Sequence, residues 1–198
     1  MSASKTADFR LTLIHPCVGR RSGMNNYFRT WKMEPLPPAM LAAFTPGDVE
    51  KKFYDDRLEA IPYDEPTDLV AISVETYTAR RAYQIASEYR KRGVPVVMGG
   101  FHATLCPGEV VEYCDSIVIG EAEELFPVVI EDYRLGAPKT VYQSGVRPSH
   151  LVYSPDRSIF AGKRYLPTTL VEFSRGCKFV CDFCAIQSAY DASHRCRP

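Results

Sequence analysis

The sequence predicts an α/β protein built on a parallel, doubly wound sheet. Three observations carry this reading. Short apolar, β-branched runs recur along the first ~130 residues, at the spacing of βαβ units. Segments with helical periodicity separate several of them. Glycines stand where the later runs end, as at Gly99-Gly100 and Gly120.

Taken in order, Phe9-Arg10-Leu11-Thr12-Leu13-Ile14 alternates and then turns apolar, which fits a first strand. His15 to Gly23 reads as the loop at its C-terminal end. From Glu34 to Phe44 the prolines lie only at the front, and proline is tolerated in the first turn of a helix, so a helix is expected over about Pro37–Phe44. Val49–Asp55 reads as a second strand. Asp68-Leu69-Val70-Ala71-Ile72-Ser73-Val74 has the near-continuous apolar pattern of a strand buried on both faces. Ala79, Ala82, Tyr83, Ala86 and Tyr89 then recur at helical spacing. That helix stops at Lys91-Arg92-Gly93, with cations in the last turn and then glycine. Val94–Met98 is a fourth strand, Glu109–Tyr113 a short helix and Ser116–Ile119 a fifth strand. Leu125, Val128, Val129 and Tyr133 give one more helix before Gly136. Five strands alternating with helices fit a flavodoxin-like architecture, whose ligands sit at the C-terminal ends of the strands.

The rest of the chain has a different character. Residues 139–163 carry several Pro, Gly and Ser with little periodicity and read as a linker. Thr168–Phe173 then reads as a strand, and Ser174-Arg175-Gly176-Cys177-Lys178-Phe179-Val180-Cys181-Asp182-Phe183-Cys184 as the loop that follows it. Three residues separate the first cysteine pair and two the second. Thiolates suit iron–sulfur clusters and zinc. A cubane cluster takes four thiolates as a rule, so three would leave one iron open to a small molecule. A zinc knuckle completed by Cys196 or His194 is the competing reading, although zinc sites prefer two separated C-x2-C pairs and only one is present here.

The bulk numbers narrow the classes. The 198 residues suggest one domain and part of a second. There are 24 basic and 24 acidic side chains, so no charge excess points to nucleic acid or an anionic membrane. Residues 1–8 lack the apolar run of a signal peptide, and no run approaches the ~18 residues of a membrane span. Seven cysteines without a secretory signal read as reduced thiols or metal ligands, and a cytoplasmic location is expected.

The C-x3-C-x2-C pattern with an aromatic residue before its last cysteine resembles the signature of the radical S-adenosylmethionine (SAM) enzymes. The resemblance implies that Cys177, Cys181 and Cys184 hold a [4Fe–4S] cluster, that SAM chelates the fourth iron, and that the Phe183 backbone lies near the adenine. A flavodoxin-like domain in front of such a motif resembles the cobalamin-binding subclass. So do three stretches: Leu36–Ala43, Val96–Thr104 and Ile119–Glu123. The division implied is a cobalamin-binding-like domain over 1–138, a linker over 139–163, and over 164–198 the start of a radical SAM βα barrel that needs ~180 more residues to close. This makes the chain the front of a longer protein, inactive by itself.

Cobalamin-pocket candidates are Ser73, Glu75, Thr76, Gly99, Gly100, Thr104, Gly120 and Glu121. Glycines let a backbone approach a ligand closely, but a plain tight turn, or a flavin phosphate, accounts for Gly99-Gly100 as well. A helix N-cap is the competing role for the Ser73–Thr76 corner. Many cobalamin domains carry Asp-x-His-x-x-Gly after the first strand. Here that loop begins His15-Pro16-Cys17-Val18-Gly19, so cobalamin is expected without a histidine ligand. His15 and His102 then read as loop or turn residues, Cys17, Cys106 and Cys114 as packing thiols, and Trp31 and the tyrosines as core and pocket wall.

The function implied is a cobalamin-dependent methyltransferase that acts on an unactivated carbon through a 5′-deoxyadenosyl radical. It would need a small-molecule, lipid or peptide substrate and an electron donor such as flavodoxin or ferredoxin. A non-catalytic module binding cobalamin, flavin or zinc is the alternative.

Overall fold

The structure, a computed structural model, describes residues 9–19, 32–145, 154–190 and 193–196. Trp31, residues 20–23 of the first loop and the middle of the segment read as a linker lie outside them.

Six parallel strands form the main sheet in the order β2-β1-β3-β4-β5-β6: β1 Phe9–His15, β2 Val49–Asp55, β3 Leu69–Ser73, β4 Val96–Gly99, β5 Ser116–Ile119 and β6 Val141–Gln143. The helices are α1 Leu36–Phe44, α2 Ala79–Lys91, α3 Phe101–Leu105, α4 Pro107–Val110, α5 Phe126–Arg134 and α6 Ala185–Tyr190. A two-stranded antiparallel ribbon, β7 Ser174–Gly176 and β8 His194–Cys196, stands apart from the sheet.

Strand alternation divides the core into two layers. Leu11, Leu13, Leu69, Ala71, Val97 and Val118 face one side and pack with Ala39 and Ala42 of α1 and Val129 and Ile130 of α5. Ile14, Val70, Ile72, Met98 and Ile117 face the other and pack with Ala82, Ile85, Ala86 and Tyr89 of α2. Central strands covered on both faces must be apolar at every position, which is why β3 is buried throughout. α2 keeps only its apolar stripe against the sheet, and its end carries Arg90 and Lys91 near the exposed carbonyls.

Two expectations are corrected. The sheet has six strands rather than five, and β6 lies at the head of the segment read as a linker. Farther along that segment, Phe160 is buried in the first core layer, and Asp156 pairs with Lys51 of β2 at 2.8 Å. The second correction concerns Thr168–Phe173, which forms no strand. Its alternation suits a pleat, but no described neighbour supplies the ladder hydrogen bonds. The segment runs uncovered, with Val171 and Phe173 exposed, and the strand begins only at Ser174.

A buried polar knot closes the C-terminal ends of β1 and β2. Asp55, fully enclosed, accepts hydrogen bonds from Arg57 Nη2 at 2.6 Å and from the Tyr165 hydroxyl at 2.7 Å. Asp56 receives Arg81 through both Nε and Nη2 at 2.8 Å, and the Cys17 amide at 3.2 Å. His15 lies among these charges. Its Nδ1 is sealed from solvent, with no hydrogen-bond partner among the described residues. Burial, and then the Arg57 cation, lower the His15 pKa to about 4, against the opposing pull of Asp55 and Asp56. Between the unfolded value near 6.5 and about 4, the unfolded chain therefore binds a proton that the folded chain refuses. Stability falls across this window as the pH is lowered, by about 3 kcal/mol from this group. In urea titrations at successive pH values, His15→Gln is expected to flatten that part of the profile. An unchanged slope would assign it to other groups.

Candidate functional site

A cavity of about 480 Å3 opens at the C-terminal ends of β3, β4 and β5. Ligand sites in open α/β sheets lie at these ends, and the volume is within the range of small-molecule pockets. Leu36, Pro37, Met40 and Leu41 of α1 form one wall, and Val97, Val118 and Phe126 form the floor. Polar groups reach it at Ser73, Glu75, Thr104, Gln143 and Ser144. Burial raises the Glu75 carboxyl above the usual carboxylate range.

The loops after β4 and β5 are joined by one hydroxyl. Thr104 Oγ1 donates to the Gly100 carbonyl at 2.9 Å and accepts from the Gly120 amide at 3.0 Å. Gly100 has φ +101°, and a Cβ there would lie 3.0 Å from both the amide nitrogen and the carbonyl oxygen of Val74. Its glycine is thus required by close packing of the chain against itself. At Gly99 a Cβ would meet only ordinary contacts with Val118. Gly100→Ala is expected to displace the β4 loop and lower stability by about 1–3 kcal/mol, since both the left-handed backbone and the clash oppose a side chain. Urea unfolding reads this. A midpoint equal to that of the parent chain would show that the turn accepts a side chain.

The cysteine segment lies over the rim of this cavity. Glu172, Arg175, Ser188, Ala189 and Tyr190 line it from that side. Arg175 donates to Glu172 at 2.6 Å, pairs with Glu123 and lies 3.6 Å from Glu121, while Arg195 pairs with Glu121. Burial pulls the Arg175 pKa down, but its carboxylate neighbours outweigh that and hold it above the ordinary value.

Cys177, Cys181 and Cys184 are half-buried free thiols on the loop between β7 and α6, and the Cys184 amide donates to the Cys181 carbonyl at 3.0 Å. Their donor chemistry fits an iron–sulfur cluster. Their present arrangement does not converge: among the described residues, no group of three or more His, Cys, Asp or Glu side chains is placed to hold a metal ion. This applies equally to a set completed by His194 or Cys196.

Residues 39–130 match the family model for the B12 binding domain. The chain is 33% identical over 156 residues to bacteriochlorophyllide d C-8(2)-methyltransferase from Chlorobaculum tepidum, covering 73% of this chain and 34% of that protein. It is 31% identical over 170 residues to the bacteriochlorophyllide d C-12(1)-methyltransferase of the same organism, covering 82% of this chain and 37% of that one. By the match to the family model, residues 39–130 belong with the B12-binding domains. Among solved structures, the radical S-adenosylmethionine methyltransferase TsrM from Kitasatospora setae superposes with a TM-score of 0.60 at 16% identity, over 96% of this chain and 43% of that one. That likeness is one of fold. The chain spans about a third of the length of the curated relatives it matches.

Within the B12-binding domain, Ser73, Glu75, Gly99, Gly100, Thr104, Gly120 and Glu121 all line the cavity. Thr76 is not on that lining; its hydroxyl meets His102 Nδ1 at 3.3 Å. Phe183 is 93% exposed and apart from the cavity. Cys17 and Cys114 are buried thiols, raised by burial to about 12 and about 11, and Cys106 is half-buried. The tyrosines divide: Tyr89 and Tyr142 are core, Tyr190 is cavity wall, and Tyr77 and Tyr113 are exposed. Sequence reasoning missed Glu123, Arg175 and Tyr190. The available signal was Glu123 two residues after Glu121, with Arg175 two residues before the first motif cysteine.

Proposed function

We propose that the cavity at the ends of β3–β5 holds cobalamin, that Cys177, Cys181 and Cys184 hold a [4Fe–4S] cluster, and that the whole protein is a methyltransferase acting at an unactivated carbon. The observation that carries this reading is the placement of the cysteine segment on the rim of the cavity at the ends of β3–β5, with Arg175 and Tyr190 in its wall. Two chemistries meant to act on one substrate need their centres side by side. The cofactors would supply SAM cleavage to a 5′-deoxyadenosyl radical and methyl transfer to the substrate.

The residues of this chain have simpler tasks. The apolar wall from Leu36 to Leu41 excludes water from the cavity. Ser73, Thr104, Gln143 and Ser144 present hydrogen-bonding groups for polar side chains of the ligand, and Glu75 offers a carboxyl whose burial favours the protonated form. The three thiols would converge on the cluster and leave one iron for SAM. Phe183 would offer its backbone to the adenine. Cobalamin would be held in the cavity without a histidine ligand. The division into a domain over 1–138, a linker over 139–163 and a cysteine segment over 164–198 belongs to this proposal, as do an electron donor of the flavodoxin or ferredoxin type and a cytoplasmic location. Among the described residues, no helix is long and apolar enough to cross a membrane.

Anaerobic reconstitution with iron, sulfide and hydroxocobalamin, followed by desalting and metal analysis, tests the reading. About four irons and about one cobalt per chain are expected. Iron without cobalt would remove the cobalamin assignment. Retained zinc with little iron would replace the reading by a zinc-bound module.

A further inference from the structure

We infer that Glu121 and Glu123 form a carboxylate clamp that seats the base of the cysteine loop on the cavity rim by gripping Arg175 and Arg195. The cross-strand register of the ribbon carries the inference. In β7 and β8, Arg175 stands directly opposite Arg195. Like charges opposite one another destabilise an antiparallel pair. The pairing persists here because carboxylates lie against both guanidiniums: Glu123, Glu121 and Glu172 at Arg175, and Glu121 at Arg195. Glu121 and Glu123 belong to the B12-binding domain, beyond the end of β5, and their side chains are 10% and 8% exposed. The ribbon therefore depends on the domain for its charge balance.

The topology gives this contact its reach. All three motif cysteines and α6 lie between β7 and β8. The clamp therefore holds both ends of the loop. The loop's approach to the ribbon is also constrained, since Gly176 has φ +80° and a Cβ there would strike the Ser193 carbonyl oxygen. Glu121, Glu123, Arg175 and Arg195 act as positioning residues. They set the cysteine loop against the cavity and touch no reacting atom.

The structural part of the inference stands by itself, and its consequence for cobalamin rests on the proposed function. The test uses the full chain. Without cofactors, hydrogen–deuterium exchange read by mass spectrometry is expected to rise about tenfold across 174–176 and 194–196 in Arg175→Glu, with β3–β5 unchanged. Combining Arg175→Glu with Glu123→Arg is expected to restore protection. Arg175→Met, outside the main sheet, gives the same loosening without adding a carboxylate and keeps the test informative should the reversal misfold. Ribbon exchange that is unchanged in Arg175→Met, or unrescued in the double variant, overturns the clamp. With hydroxocobalamin bound, Arg175→Met is expected to speed its loss about tenfold, because the ribbon side of the cavity wall departs. A parent chain that binds no hydroxocobalamin would defeat the cofactor reading, and the exchange experiment would still decide the clamp.

Discussion

Replacing Cys181 with alanine abolishes iron uptake in the expected result, taking the reconstituted chain from about four irons to fewer than one. A cubane held by three thiolates keeps no stable position when one is lost, because an iron already open to SAM leaves no spare protein ligand. The fold is expected to survive. Cys181 lies on the half-exposed loop outside both core layers, so circular dichroism and the urea midpoint should match those of the parent chain. Cys196→Ser provides the contrast. If Cys196 completed a zinc set, its loss would matter as much as that of Cys181; in the cluster reading it leaves iron content unchanged. Full iron uptake by Cys181→Ala would refute the cluster assignment.

Asp55→Ala is expected to be the most damaging single change to stability, at about 3–5 kcal/mol. The total stability of a domain is of order 5–15 kcal/mol, so this loss puts the fold near its threshold. The reason is the charge left behind. Arg57, itself 8% exposed, would keep its guanidinium inside the protein without the carboxylate that accepts from both Nε and Nη2, and the Tyr165 hydroxyl would lose its acceptor. Removing both charges is far milder, because a buried ion pair replaced by apolar groups is often close to neutral. Asp55→Ala combined with Arg57→Met is therefore expected to recover most of the lost stability. Urea unfolding of the two variants reads the difference, and equal losses would show that Arg57 is not the cause. The sign with pH follows from the same contacts. Burial alone would raise the Asp55 pKa, but Arg57, His15 and Tyr165 hold it below the ordinary carboxylate value. Its stabilisation is thus present above the unfolded value near 3.9 and is lost as the pH falls through the folded one.

Much of this architecture was legible from residue pattern. β3, β4 and β5 announce themselves as apolar runs because central strands covered on both faces admit little else, and α2 shows its stripe because only one face is covered. β6 was not legible. Val141-Tyr142-Gln143 is too short to show a period, and only Tyr142 is buried, so pairing with β5 creates that strand more than local preference does. The opposite error at Thr168–Phe173 has the same origin: good alternation is not a strand without a neighbour to bond. At the site, the glycines and Thr104 were recognisable because turns at strand ends use few residue types. The Arg175–Glu123 contact was not, because it joins residues 52 positions apart through side chains that usually belong on a solvated surface.

The single hydroxyl of Thr104 has a thermodynamic consequence. By holding the turns after β4 and β5 to each other, it makes them one rigid rim before any ligand arrives. The ordering of those turns is completed during folding. An incoming molecule meets walls already in place, and its association is expected to show little of the entropic penalty that accompanies loop closure.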